Sequence, residues 1–203
     1  GKTTTKLEAV YDSIVDAGHP EPAIYPMNLE GAQGKDYVEL TEVLDNEFGK
    51  LDGLVLNAAK LGSLTPIEHF DDATWMQVMQ VNLNASYLLT KFCLPVLAKS
   101  GNASVIYTTD KVASEPRGYW GAYAVSKAGQ EALAQIVHRE NGKDGSIRVN
   151  TLDPGEVRTR MRTVAYPGLD PNDWPLPEDV MGPYLYLLGP DSTLSGERIV
   201  INE

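Results

Sequence analysis

The sequence has little cysteine, little positive charge and no long apolar run. Its one cysteine, Cys93, excludes an internal disulfide and fits a reducing cytoplasm. It stands in an apolar helical stretch, where a core residue is expected. Lysine and arginine number 17 against 28 aspartates and glutamates, a net charge of −11. That argues against nucleic acid as a partner, but leaves room for an anionic cofactor at a local positive site. No apolar run reaches the roughly 18–20 residues of a membrane span. No signal peptide is visible, so no membrane partner is expected. The sequons at Asn84 and Asn102 therefore carry no weight. Internal repeats, low-complexity tracts and a metal-ligand constellation are also missing. What is present is an ordinary globular composition, 42% hydrophobic and 22% charged. The length suits one domain, 1–203, with a sizeable core.

Residues 3–17 read as a helix, with Leu7, Val10, Tyr11, Ile14 and Val15 at helical spacing, Gly18 as its stop and Thr3 to Thr5 as capping hydroxyls. Pro22 to Met27 is a short apolar run expected to form a strand. Asp36 to Phe48 is a second helix and Leu51 to Leu56 a strand ending in Asn57-Ala58-Ala59. A long helix is expected over 72–98, capped by Asp71 or Asp72 and kinked or ended at Pro95 unless that ring faces solvent. Ser104 to Thr109 is a strand, Gly121 to Arg139 a helix with small residues suited to close packing, and Ile147 to Leu152 another strand. Glu156 to Pro177, with Pro167, Pro171 and Pro175 inside it, reads as a mobile flap without decisive pocket residues. Glu178 to Leu188 is a short helix and Arg198 to Ile201 a last strand. Strands alternating with helices imply a parallel sheet covered on both faces, with ligands beyond the carboxyl ends of the strands.

One stretch carries the chemistry. Tyr123 and Lys127 are four residues apart at the start of the 121–139 helix, which puts them on one face. An ammonium there favours phenolate and makes Tyr123 a candidate general acid/base. Spacing alone does not select this pair. Tyr107 and Lys111 share it, but Tyr107 lies on a strand, and four residues of extended chain span roughly 13 Å. Tyr87 and Lys91 share it on a helix, but far from any strand end. Topology favours Tyr123, because its helix follows the Ser104–Thr109 strand after a short loop.

Asn57-Ala58-Ala59, Val81-Asn82, Tyr123-Ala124-Val125-Ser126-Lys127 and Pro154-Gly155-Glu156-Val157-Arg158-Thr159 occur in that order. On these residues the chain resembles the short-chain dehydrogenase/reductase family, and within it the YciK-like bacterial oxidoreductases, over nearly its whole length. The resemblance implies an α/β, Rossmann-like, doubly wound parallel sheet in three layers. It also implies hydride transfer between NADP(H), or NAD(H), and a small carbonyl or alcohol substrate in the cytoplasm. Tyr123 would exchange a proton with the substrate, and Lys127 would tune it and hold the nicotinamide ribose. Asn82 would anchor a relay water. Asn57, Ala58 and Ala59 would line the cofactor groove, as would Pro154, Gly155 and Val157, while Thr159 would contact the carboxamide. Lys2 would pair with the extra phosphate of NADP and Asn28 would bind near the adenine. A homodimer or homotetramer through the 72–98 and 121–139 helices is implied as well.

Two departures from the family pattern stand out. The serine expected thirteen residues before the tyrosine is Asp110. An ionised carboxylate cannot donate a hydrogen bond to a carbonyl, and it raises the pKa of a nearby phenol. Lys111 is expected to neutralise it, and Thr109 to point to the opposite face. A second reading is therefore a catalytically impaired member acting as a binding or structural protein. The glycine-rich pyrophosphate turn is the other missing feature, and about forty residues, roughly one βαβ unit, are expected to precede Gly1.

Overall fold

The structure is a computed structural model describing residues 1–141 and 145–201. Four parallel strands form one sheet in the order β1 (Gly53–Leu56), β2 (Ala103–Thr108), β3 (Ile147–Asp153) and β4 (Arg198–Val200). Every residue of β2 and β3 is buried. Side chains alternate across a strand, so β2 feeds two cores. Val105 and Tyr107 join Val149 under Cys93, Leu97, Ala134 and Val137 from helices α4 (Ala85–Ala98) and α5 (Gly121–Asn141). Ile106 packs on the other face with Leu152, Tyr184 and Leu187 of α7 (Gly182–Leu188). Helix, sheet and helix make the three expected layers.

Among the remaining helices, α1 spans Thr4–Asp16, α2 Gly34–Phe48, α3 Asp72–Met79 and α6 Arg160–Ala165. A capping box starts α2, where the Gln33 N–H donates to Asp36 Oδ2 at 2.7 Å. At α1 the sequence expectation fails in detail: Thr3 takes the N-cap position, but no threonine hydroxyl caps the helix. Its apolar face is not buried either, with Val10 58% exposed.

Pro22 to Met27 is not a strand. A strand needs a partner ladder, and here the Met27 N–H alone reaches back, to the Gly1 carbonyl at 2.8 Å. On the neighbouring side of the sheet, β1 is an edge among the described residues.

The long helix over 72–98 forms, but it is interrupted. Between α3 and α4 the backbone widens into one π turn, Gln80–Asn84. Ser86 Oγ donates to the Asn82 carbonyl there at 2.8 Å, partnering a group that the altered ladder disturbs. Pro95 sits inside α4 without ending it, and it is exposed to solvent. Asp71 is the cap, its carboxylate accepting from the Thr74 N–H at 2.7 Å.

The segment 156–177 is no loose flap. It forms α6 and a 3-10 turn, Pro171–Asp173, and it is tied down by Arg158. The Arg158 N–H bonds the Pro175 carbonyl at 2.8 Å, its guanidinium reaches the carbonyls of Trp174 and Asn172, and Trp174 is buried.

Candidate active site

The carboxyl ends of β1, β2 and β3 open on a cavity of about 250 Å³. Asn57 and Ala59 line it from the first strand end, Thr108, Thr109 and Asp110 from the second, and Pro154, Gly155, Val157 and Thr159 from the third. The first turns of α5 bring Tyr123 and Lys127 into the same wall. Gly155 stands at φ +72, a conformation that suits glycine, and a Cβ there would lie 2.8 Å from the Ile201 carbonyl oxygen.

A buried polar network fixes α5 against the π turn. Asn82 is fully buried and its amide grips Lys60: Oδ1 accepts from the Lys60 N–H at 2.7 Å, and Nδ2 donates to the Lys60 carbonyl at 3.0 Å. The second amide proton goes to Ser126 Oγ at 2.9 Å, which in turn donates to the Tyr123 carbonyl. Lys127 Nζ donates to the Thr108 carbonyl at 2.7 Å and to Gln130 Oε1 at 3.0 Å. Gln130 then donates to Ser86 at 2.7 Å. Gly129 lets the π turn come close, since a Cβ there would lie 2.8 Å from Leu83.

Tyr123 Oη donates to Asp110 Oδ2 at 3.2 Å, and the other Asp110 oxygen accepts from the Val112 N–H at 3.0 Å. The phenol is pushed well above its usual range, chiefly by burial and then by the Asp110 carboxylate, with Asp153 adding and Arg162 opposing. Burial also pulls Lys127 down from 10.5 to about 8, against the attraction of Asp110, Asp153 and Glu131. The expectation that Lys127 lowers the Tyr123 pKa therefore fails in this state. The ammonium lies 5.8 Å from the ring centroid, spends two protons elsewhere, and is outweighed by burial and Asp110. Lys111 does not neutralise Asp110 but pairs with Glu115 at 3.6 Å. Thr109 does turn away from it, to Glu131 at 2.7 Å.

A family model for short chain dehydrogenases matches residues 1–169. The chain belongs to the short-chain dehydrogenase family. The uncharacterized oxidoreductase YciK of Escherichia coli K12 is 35% identical over 95% of this chain and 75% of its own length. Its solved structure superposes with a TM-score of 0.94 at 34% identity, covering 98% of this chain and 82% of that one. A structure from Escherichia coli CFT073 in complex with NADPH gives a TM-score of 0.95 at 35% identity, over 98% of this chain and 83% of that one. The chain spans less of some other family members, such as levodione reductase of Leifsonia aquatica, of which it covers 52% at 30% identity.

Of the residues that the family pattern singled out, the fold gathers Tyr123, Lys127, Asp110, Asn57, Ala59, Pro154, Gly155, Val157 and Thr159 around one cavity. Ala58 is exposed and lies outside its wall, and Asn82 stands behind it. Lys2 and Asn28 are not part of it; Lys2 pairs with Glu30 at 3.7 Å, and Lys60 meets the same carboxylate at 3.4 Å. Sequence reasoning missed Leu61, Trp120, Met161, Arg162, Ala165 and Tyr166, which supply much of the remaining wall. Three of these lie on α6 and Tyr166 follows it, in the segment taken for a featureless flap. The alternation of Met161 and Ala165 one turn apart was the available signal. Arg162 stacks on Tyr166, 4.0 Å from its centroid, and pairs with Glu156. The wall fits the nicotinamide end of a dinucleotide: it combines an apolar floor with a buried ammonium that has one proton left after its two hydrogen bonds.

Proposed function

We propose that this site transfers hydride between NADP(H) and a small substrate with a polarised double bond, C=O in its general form. The observation that carries the reading is the placement of Tyr123 and Lys127 on one turn of α5, inside a cavity at three parallel strand ends. The NADPH held by the Escherichia coli CFT073 relative supports the cofactor choice. When bound, the reduced nicotinamide supplies the hydride.

This chain's residues do the rest. Tyr123 holds the proton exchanged with the substrate at its Oη. Lys127 would donate its remaining N–H to a hydroxyl of the cofactor ribose. Asn82 fixes Lys60, leaving one Oδ1 lone pair for a relay water. Asn57 and Ala59 would line the groove, with Ala58 beyond the cavity wall, Pro154, Gly155 and Val157 would bracket the nicotinamide, and Thr159 would meet the carboxamide. Lys2 and Asn28 are assigned to the far, adenosine end. Copies of the chain associate through α4 and α5, whose outer faces expose Tyr87, Val125 and Ile136, and the protein works in the cytoplasm.

The test is binding of reduced nicotinamide mononucleotide, read by energy transfer from Trp120 in the cavity wall. Lys127→Met should weaken it about tenfold, the value of one charge-assisted hydrogen bond. Binding that ignores both Lys127→Met and a cavity-filling Val157→Trp would refute the reading.

A further inference from the structure

A ketone oxygen accepts hydrogen bonds, so a site for it must present donors. Here the position beside the phenol presents an acceptor. Tyr123 already gives its proton to Asp110 Oδ2, and Asp110 Oδ1 takes the Val112 N–H. Each carboxylate oxygen keeps a further lone pair. Asp110 makes no ion pair among the described residues, nor does Asp173 across the second cavity, while three other acidic groups nearby are matched. Glu131 pairs with Arg198 at 3.0 Å, Asp153 with the same guanidinium at 3.3 Å, and Glu156 with Arg162. Lys127 feels the Asp110 charge, but its hydrogen bonds go to Thr108 and Gln130. Asp110 also lines a second, adjoining cavity of about 430 Å³, so it stands where the two meet. Leu61, Trp120, Met161 and Ala165 give the first cavity an apolar wall suited to a small ring.

We propose that the group reduced at this site is a protonated carbon–nitrogen double bond, and that Asp110 selects it by accepting the iminium N–H. The proposal rests on the hydride-transfer reading and names its substrate class. A carboxylate in place of a hydroxyl exchanges a donor for a charged acceptor, which is what an iminium needs and what a ketone lacks use for. The chemistry balances without a proton from the enzyme. Hydride from the reduced nicotinamide forms a C–H bond at the iminium carbon, and the C=N π pair becomes the nitrogen lone pair. The nicotinamide is oxidised and the iminium reduced to a neutral amine, which takes its proton from water. The raised pKa of Tyr123 agrees with this, since ketone reduction draws on that phenol proton and iminium reduction does not.

The experiment compares two bicyclic probes of like size on the full chain: dihydroisoquinoline, kept protonated by the buffer, and the neutral ketone tetralone. Calorimetric titration of each is done on the parent, Asp110→Asn and Asp110→Ser, with thermal melts confirming that each variant folds. The parent should bind the cation about tenfold or more tightly than the ketone, and both variants should erase or reverse that ratio. An unchanged ratio in the variants, or a parent that prefers tetralone, overturns the proposal. NADPH oxidation is then followed with both probes. Faster turnover of the iminium by the parent, with the order reversed in Asp110→Ser, supports it. Turnover of tetralone alone by the parent overturns this proposal and spares the hydride reading. Selective cation binding with hydride transfer to neither probe refutes the hydride reading, and this proposal with it.

Discussion

Replacing Lys127 with methionine separates the cost of burying an ammonium from its use. In the folded chain the side chain is 1% exposed and its pKa has fallen from 10.5 to about 8. Between those values the unfolded chain holds a proton that the folded chain has released. The folded-state pKa of a base is lowered, so parent stability rises as pH rises through this window. A methionine there cannot titrate. At about 1.4 kcal/mol per pH unit, the parent should gain about 3 kcal/mol on the variant over the whole window, and about 2 kcal/mol of it by about pH 9.5. Near pH 7, relief of that burial cost opposes the loss of two charge-assisted bonds, to Thr108 and Gln130, together worth about 3–6 kcal/mol. The two effects oppose each other at comparable size there, so the test lies in the change of the difference with pH. Urea unfolding followed by tryptophan fluorescence at several pH values reads this directly. A parent-minus-variant difference that stays flat from about pH 7 to about pH 9.5 would refute the reasoning.

Tyr123→Phe should lower turnover on any accepted carbonyl by roughly 100-fold or more, with cofactor binding unchanged in a fluorescence titration. Asp110→Ser should raise carbonyl reduction, since it removes a charge facing the phenol and restores a donor; a panel of ketones reduced no faster than by the parent would count against it. Asn82→Ala leaves the Lys60 N–H and carbonyl without their side-chain partner, and should cost about 2–4 kcal/mol in chemical denaturation. Gly155→Ala places a methyl against the Ile201 carbonyl at a positive φ, and should lower stability by at least about 1 kcal/mol in the same assay.

The sheet was legible because the strands of a parallel sheet are written as unbroken apolar runs, as in Leu54-Val55-Leu56 and Val105-Ile106-Tyr107. Tyr123 and Lys127 were legible because a helix fixes which residues share a face. The Pro22–Met27 strand was misread because composition reports a preference for extended backbone, not the neighbour that must hydrogen-bond to it. The 156–177 segment was misread for the opposite reason. Its prolines mark turns, but what holds it is one arginine reaching carbonyls fourteen and sixteen residues away. The direction of the Tyr123 shift could not be settled from spacing. Proximity of Lys127 predicted a fall, Asp110 predicted a rise, and the depth of burial that decides between them is a property of the packed chain.

The widened turn at Gln80–Asn84 amounts to one surplus amino acid threaded into an otherwise regular rod. Removing any one of those five would let the rod close to 3.6 per turn, an easier local geometry. Because the wide turn takes up the surplus residue, the segments on either side would keep nearly the same facing, and only the local placement of the Asn82 clasp on Lys60 would change. A codon deleted there should thus act through that clasp, not by turning the Cys93–Leu97 seam away from the core.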